Sequence, residues 1–292
     1  MAVTLEHFNR IIDISFLRKD RTVEKVIKCP RHGMKPDIEI NGTFWTKNEL
    51  PAFNITIKNL YLDLQKDQYA NVKVECGYDG NTIALEGTIL TLYQESPGPD
   101  GKTVIQCRLG NLTDWLEANV DVNFEAGTAI TEVLDAFRSK LNVTQPHYGD
   151  EAKKLKLKEA FMHNSSAREG MAKLANMFQE ERLAVFMREK MLVAICLASG
   201  DKVGEERLQF MSAPPQPNTG DEAGTYYTTI TAPWMPKLQI GDILTIPSRV
   251  YMRNFEKVGS GKEQQIQVTA ISFHFGTRGS TNSMTVQGFV VR

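Results

Sequence analysis

The sequence predicts a mainly β protein with an α+β insertion: a β-barrel domain at each end and a small α/β middle region. Two observations carry this expectation. Both ends of the chain alternate apolar and polar residues with a period of two, broken by Gly, Pro and Asp turns. Between them the apolar period lengthens to that of a helix. The expected boundaries are 1–112 for the first barrel, 113–200 for the α/β middle domain and 201–292 for the second barrel.

Taken in order, Ile38-Glu-Ile40 and Ile55-Thr-Ile57 alternate, and Val72 to Tyr78 does so over a longer run. Asp79-Gly-Asn reads as a turn before the strand Ile83–Tyr93. Ser96-Pro-Gly-Pro-Asp-Gly-Lys102 excludes helix and central strand, and Val104–Leu109 resumes the sheet. Thr128 is placed to cap a helix whose stripe is Ile130, Val133, Leu134, Phe137 and Leu141. Ser166 and Glu169 fit a capping box ahead of Met171, Leu174, Ala175 and Phe178. Leu183 to Leu197 reads as one or two strands, and 199–224 as a long loop. Tyr226–Ile230, Ala232–Ile246, Gln265–Phe275 and Met284–Val291 return to β, the last two joined by a hairpin loop at Gly276–Asn282. The strip Glu151-Ala-Lys-Lys-Leu-Lys-Leu-Lys-Glu159 reads either as a basic contact for an acidic partner or nucleic acid or as a solvated face with Leu155 and Leu157 on the anchored side of a strand; the second is simpler.

Composition excludes several classes. Of 292 residues, 41% are apolar and 24% charged, which is ordinary for folded protein. Lys plus Arg number 34 against 35 for Asp plus Glu, so a net charge of −1 supplies no global field to grip nucleic acid. The first twenty residues lack the basic and apolar regions of a signal peptide, and the longest apolar run, Met191–Ala198, is far too short to span a membrane. The chain is therefore expected to be soluble and made in the cytoplasm.

No catalytic, cofactor-binding or metal-binding residue is assigned from the sequence. Cys29, Cys76, Cys107 and Cys196 lie far apart without a C-x-x-C pair, and Cys29 with His32 lacks a second pair of ligands, so buried reduced thiols are expected. There is no G-x-S-x-G elbow and no H-E-x-x-H. Gly259-Ser-Gly-Lys262 resembles a phosphate loop only faintly, with Glu256 at the first Gly position and Glu263 where a hydroxyl belongs. His274, between Phe273 and Phe275, points away from the face those rings share and reads as structural. Trp45, Trp115 and Trp234 are dispersed, which gives no support to a sugar-binding platform.

Three segments carry a family resemblance. They are Tyr69–Leu92, with its strand, turn and Gly87-Thr-Ile strand; Ser165-Ser-Ala-Arg-Glu-Gly-Met-Ala-Lys-Leu-Ala175; and Pro236-Lys-Leu-Gln-Ile-Gly-Asp-Ile-Leu-Thr-Ile-Pro-Ser248 followed by Val268–Phe275. Their order resembles the baseplate hub proteins of tailed phages, the family of late control protein D and the Mu-like and XkdQ-like hubs. The resemblance implies two tail-tube-like β-barrel domains per subunit and a homotrimer whose six barrels join the tail tube to the central spike. It implies tail tube, spike and other baseplate proteins as partners, and transient passage of DNA through a lumen. It also implies residence at the tail tip after assembly in the host cytoplasm, with no membrane insertion, no cofactor and no enzymatic activity. The loops 94–103 and 199–224 become candidate contacts with neighbouring baseplate proteins. The alternatives are a hexameric tail tube or distal tail protein, a tail-associated cell-wall hydrolase, and a carbohydrate- or receptor-binding tail module.

Overall fold

The computed structural model describes residues 10–28, 36–46, 51–59, 69–78, 81–95, 101–188, 190–208, 210–211, 219–220, 226–246, 250–252, 257–258, 263–278 and 282–291. Seven strands come first: β1 (Arg10–Leu17), β2 (Val23–Lys28), β3 (Asp37–Trp45), β4 (Ala52–Lys58), β5 (Asn71–Tyr78), β6 (Asn81–Glu95) and β7 (Lys102–Leu109). The middle runs α1 (Gly110–Glu117), β8 (Asn119–Phe124), α2 (Ile130–Lys140), β9 (Gln145–Tyr148), a 3-10 turn (Ala152–Lys154), β10 (Phe161–Ser166), α3 (Ala167–Met177), β11 (Leu183–Arg188) and β12 (Met191–Cys196). Strands then return as β13 (Glu205–Arg207), β14 (Phe210–Met211), β15 (Thr219–Gly220), β16 (Tyr226–Pro233), β17 (Ile243–Ile246), β18 (Val250–Met252), β19 (Lys257–Val258), β20 (Gln264–Gly276) and β21 (Ser283–Val291). The chain is mainly β with a small α insertion, as the patterning predicts.

The outer strands form one sheet in the order β15-β16-β21-β20-β3-β4-β7-β6-β5-β1-β2, with β17 and β13 attached beside β20. Period-two alternation places it: on β5, Val72, Val74 and Cys76 are buried while Lys73 and Glu75 are exposed. Bulges between Ile89 and Thr91 on β6 and between Val268 and Ala270 on β20 bend these long strands around the core. Gly42 on β3 makes room for an aromatic ring, since a Cβ there would lie 2.5 Å from Phe273.

The sequence predicts a barrel at each end. Among the described residues neither half closes by strand pairing, because the outer edge of β3, which a closed first barrel would use, pairs with β20. One apolar core accordingly draws on both ends, from Ile12, Ile14, Ile40 and Ile55 to Ile230, Val268, Phe275 and Val286.

The middle region has a second core. Val133, Leu134 and Phe137 of α2 and Met171 and Leu174 of α3 pack with Phe161, Val185 and Leu192. The antiparallel pair β8–β10 and the sheet β11-β12-β9 frame it. Local details differ from expectation. The N-cap of α2 is Ala129, because the Thr128 hydroxyl donates to the Glu125 carbonyl at 2.8 Å. In α3 Ser166 does accept the Glu169 N–H, at 3.4 Å, but the Glu169 carboxylate accepts from the Ser165 hydroxyl. The lysine strip is a 3-10 turn and coil rather than a strand. Leu157 is buried, Lys153 and Lys154 pair with Asp150 and Glu151, and Lys158 pairs with Glu181. No helix among the described residues is long and apolar enough to cross a membrane.

Candidate functional site

The β3–β20 pairing makes a surface that neither end of the chain has alone. In-register partners on neighbouring strands share a face, and the register gives Ser283, His274, Asn41, Asn54, Gln106 and Thr91 as one row across β21, β20, β3, β4, β7 and β6. At ~4.8 Å per strand the row is about 24 Å wide. Every side chain in it is an amide, a hydroxyl or an imidazole. The backing face is Phe275, Ile40, Ile55 and Ile105, all fully buried, so the polar row rests on a rigid apolar layer.

The row is internally hydrogen-bonded. His274 Nδ1 meets Asn41 Oδ1 at 2.5 Å, and the Thr91 hydroxyl donates to Gln106 Oε1 at 2.6 Å. The next row runs Thr285, Ser272, Thr43, Ala52, Arg108 and Thr88, with the Ser272 and Thr43 hydroxyls 3.4 Å apart and Arg108 as its one charge. An open depression of about 440 Å³ lies between Asn41, Thr43, Trp45, Asn54 and Ser272. Besides Arg108, charge appears toward the rim, where Lys58 binds Glu39 at 2.5 Å and Asp37 at 3.9 Å.

A second constellation fixes the middle region against the terminal strands. Arg188 at the end of β11 donates to Asp242 Oδ1 at 2.5 Å and Oδ2 at 3.4 Å, and to Gln239 Oε1 at 2.6 Å. Asp242 is 2% exposed and also accepts the Gln239 N–H at 2.9 Å. Gly241 precedes it at φ +86°, a left-handed conformation that suits glycine. Nearby, the Asp201 carboxylate accepts the N–H groups of Glu151, Ala152 and Cys196, and Ala198 N–H donates to Gln267 of β20. An apolar groove of about 260 Å³, lined by Phe44, Ile83, Leu109, Met187, Leu238 and Ile271, lies where the three parts of the chain meet.

The residues weighed from the sequence are not brought together. His274 faces away from Phe273 and Phe275, which are buried, and is held by Asn41. Cys76, Cys107 and Cys196 are free and buried. Burial pushes the Cys76 and Cys196 thiols up to about 12 and raises that of Cys107 as well, so none is a ready nucleophile. Trp234 lies in the core against Phe273, Trp115 packs on the middle core, and Trp45 sits on the polar face. Cys29, His32, residues 96–100 and Gly259–Lys262 lie outside the described residues. So do most of 209–225 and the tip of the 276–282 loop. The polar row escaped sequence reasoning. Its members come from six strands, and only register makes them neighbours.

Solved phage tail proteins are similar to this chain in overall fold. The tail protein from Neisseria meningitidis MC58 matches with a TM-score of 0.58 at 8% identity over 97% of both chains. The 43 kDa tail protein of prophage MuSo2 from Shewanella oneidensis matches with a TM-score of 0.56 at 11% identity, again over 97% of both. An E. coli type VI secretion system component, described as similar in structure to the T4 tail proteins gp27 and gp5, matches with a TM-score of 0.53 at 8% identity. That match covers 89% of this chain and 75% of the other. No protein-family model and no curated protein sequence matches the chain.

Proposed function

We propose that the chain is a structural, non-enzymatic baseplate hub subunit of a phage tail or phage-like contractile injection machine. Three copies form a ring that joins the tail tube to the central spike. In this reading residues 1–112 and 201–292 are the two tube-like domains and 113–200 the module between them. The partners are the tail tube, spike and baseplate proteins, and the site of action is the tail tip of the virion.

The observation that carries the reading is the β3–β20 pairing, which holds the two terminal parts of one chain side by side in a single sheet. Such a subunit contributes two adjacent staves to a ring, so that three copies present six. The uncharged row across that seam is assigned to the lumen. Protein grips nucleic acid chiefly where Lys and Arg displace the counterions condensed on its phosphates. A lining of amides and hydroxyls offers transient hydrogen bonds without that retention, which suits a conduit.

Native mass spectrometry and negative-stain electron microscopy of the purified protein test the proposal. Three copies around a central hole are expected. Six copies would instead mark a tail tube or distal tail protein, and a monomer at high concentration would overturn the ring.

A further inference from the structure

Among the described residues, five large apolar side chains are more than a third exposed: Val23 at 57%, Val26 at 44%, Leu90 at 37%, Tyr93 at 42% and Met162 at 62%. Four of these five sit on two strand edges. Among the described residues, β2 is the last strand of the large sheet and pairs with β1 alone. Among the described residues, β6 pairs with β5 as far as Thr88, and beyond Ile89 it pairs with β7. Among the described residues, then, the outer edge of β2 and one edge of Leu90–Tyr93 have no strand partner. Edges of this kind that also expose Val, Leu and Tyr are templates for another strand, and proteins normally cover or blunt them.

The two edges differ, which is what a closed ring requires. A heterologous interface joins one patch on each copy to a different patch on the next, and it closes when the rotation is right. They also match. Val23 and Val26 have the same spacing as Leu90 and Tyr93. Laid parallel with Val23 beside Leu90, β2 brings Val26 beside Tyr93 and Lys28 beside Glu95. The Glu95 carboxylate already holds Lys102 at 2.6 Å and has a second oxygen for another cation.

We propose that β2 of one copy adds to the Leu90–Tyr93 edge of β6 in the next copy, so that the ring closes by strand addition between unlike edges. This rests on the ring reading above and names the surfaces that build it. Backbone hydrogen bonds supply the contact, the Val–Leu and Val–Tyr pairs bury the exposed apolar area, and the Lys28–Glu95 pair fixes register.

The test uses two full-length double variants, V23E/V26E and L90E/Y93E, examined alone and mixed in equal amounts by sedimentation velocity, with circular dichroism to confirm folding. Wild type is expected to form the ring and each variant alone to be monomeric. The mixture should form a one-to-one dimer, because one intact β2 edge then meets one intact β6 edge. The milder V26S and Y93S should each weaken assembly tenfold or more. A variant that keeps the wild-type assembly, or a mixture that stays monomeric, overturns the edge assignment and leaves the ring reading standing. A monomeric wild type sinks both.

Discussion

Replacing Arg188 with Met removes one half of the contact that clamps the α/β middle region to the terminal strands. Asp242 would keep its Gln239 N–H bond but lose both guanidinium bonds while remaining 2% exposed. A buried carboxylate stripped of its cation costs about 3–5 kcal/mol, because desolvation is no longer offset by the partner. At about 1.4 kcal/mol per factor of ten, the lower figure alone shifts the folded-to-unfolded ratio more than a hundredfold. Asp242→Leu should also destabilise, because Arg188, its side chain 14% exposed, would keep Gln239 Oε1 but lose its carboxylate. The double variant R188M/D242L should cost clearly less than the sum, since no uncompensated charge remains. Urea denaturation of the four proteins, followed by intrinsic fluorescence, gives the cycle. Single-variant losses below about 0.5 kcal/mol, in the range of ordinary surface substitutions, or strictly additive losses, would refute the idea that this pair is a clamp.

Gly241→Ala should destabilise by about 1–3 kcal/mol. The backbone there is left-handed, and a Cβ would sit 2.9 Å from both Phe186 and Val203; thermal unfolding reads the loss. A thiol reagent at pH 8 should leave Cys76, Cys107 and Cys196 unmodified in the native protein and label them after denaturation, since all three are buried and protonated. Acid should weaken the fold. Hydrogen bonds from Arg18, Lys153 and Lys158 hold Glu24, Asp150 and Glu181 below the usual carboxylate range. Depressed carboxylates contribute stability that is present above their unfolded values, about 4, and lost as pH falls through the folded ones. The melting temperature should therefore decline on acidification below about pH 4, and an unchanged value there would count against these contacts.

The parts of the fold that were legible are those in which one face is buried and the other wet. Val72–Tyr78 and Met284–Val291 show that alternation, and the described strands match them to within a residue or two, whereas Gln265–Phe275 is a strand as expected but is buried on both faces from Ile266 to Ile271. The α2 stripe Ile130, Val133, Leu134, Phe137 and Leu141 is buried as its period requires. Helix α1 went unread because it starts directly from strand β7, with Leu109 at the N-cap and no side-chain cap. β10, Phe-Met-His-Asn-Ser-Ser, carries too little apolar alternation to stand out. The barrels expected at each end are halves of one sheet because strand partners are chosen by edges, and a periodic sequence states which face is buried without stating which strand lies alongside. For the same reason the Gly241-Asp242 pair was visible as a motif, while its partner Arg188, 54 residues earlier, was not.

The neutrality of the polar row is open to a direct challenge. Asn54 and Gln106 are exposed and lie opposite each other on β4 and β7, so neither substitution disturbs the buried layer behind them. N54K/Q106K should therefore unfold within about 0.5 kcal/mol of wild type. A ring of three such subunits would nevertheless carry six added cations on the face assigned to the lumen. Each phosphate that a lysine engages on single or double strands steepens the dependence of log affinity on log salt by about 0.7–0.9. The variant ring should retain short DNA at low salt and release it steeply as salt rises, while the wild-type ring retains little at any salt. Threading matters to the outcome: capture should require DNA narrow enough to enter the hole, and DNA blocked at both ends by bulky groups should escape capture. Equal binding of blocked and unblocked DNA would show that the face lies outside the ring, and the lumen assignment would then fail even if three copies assemble.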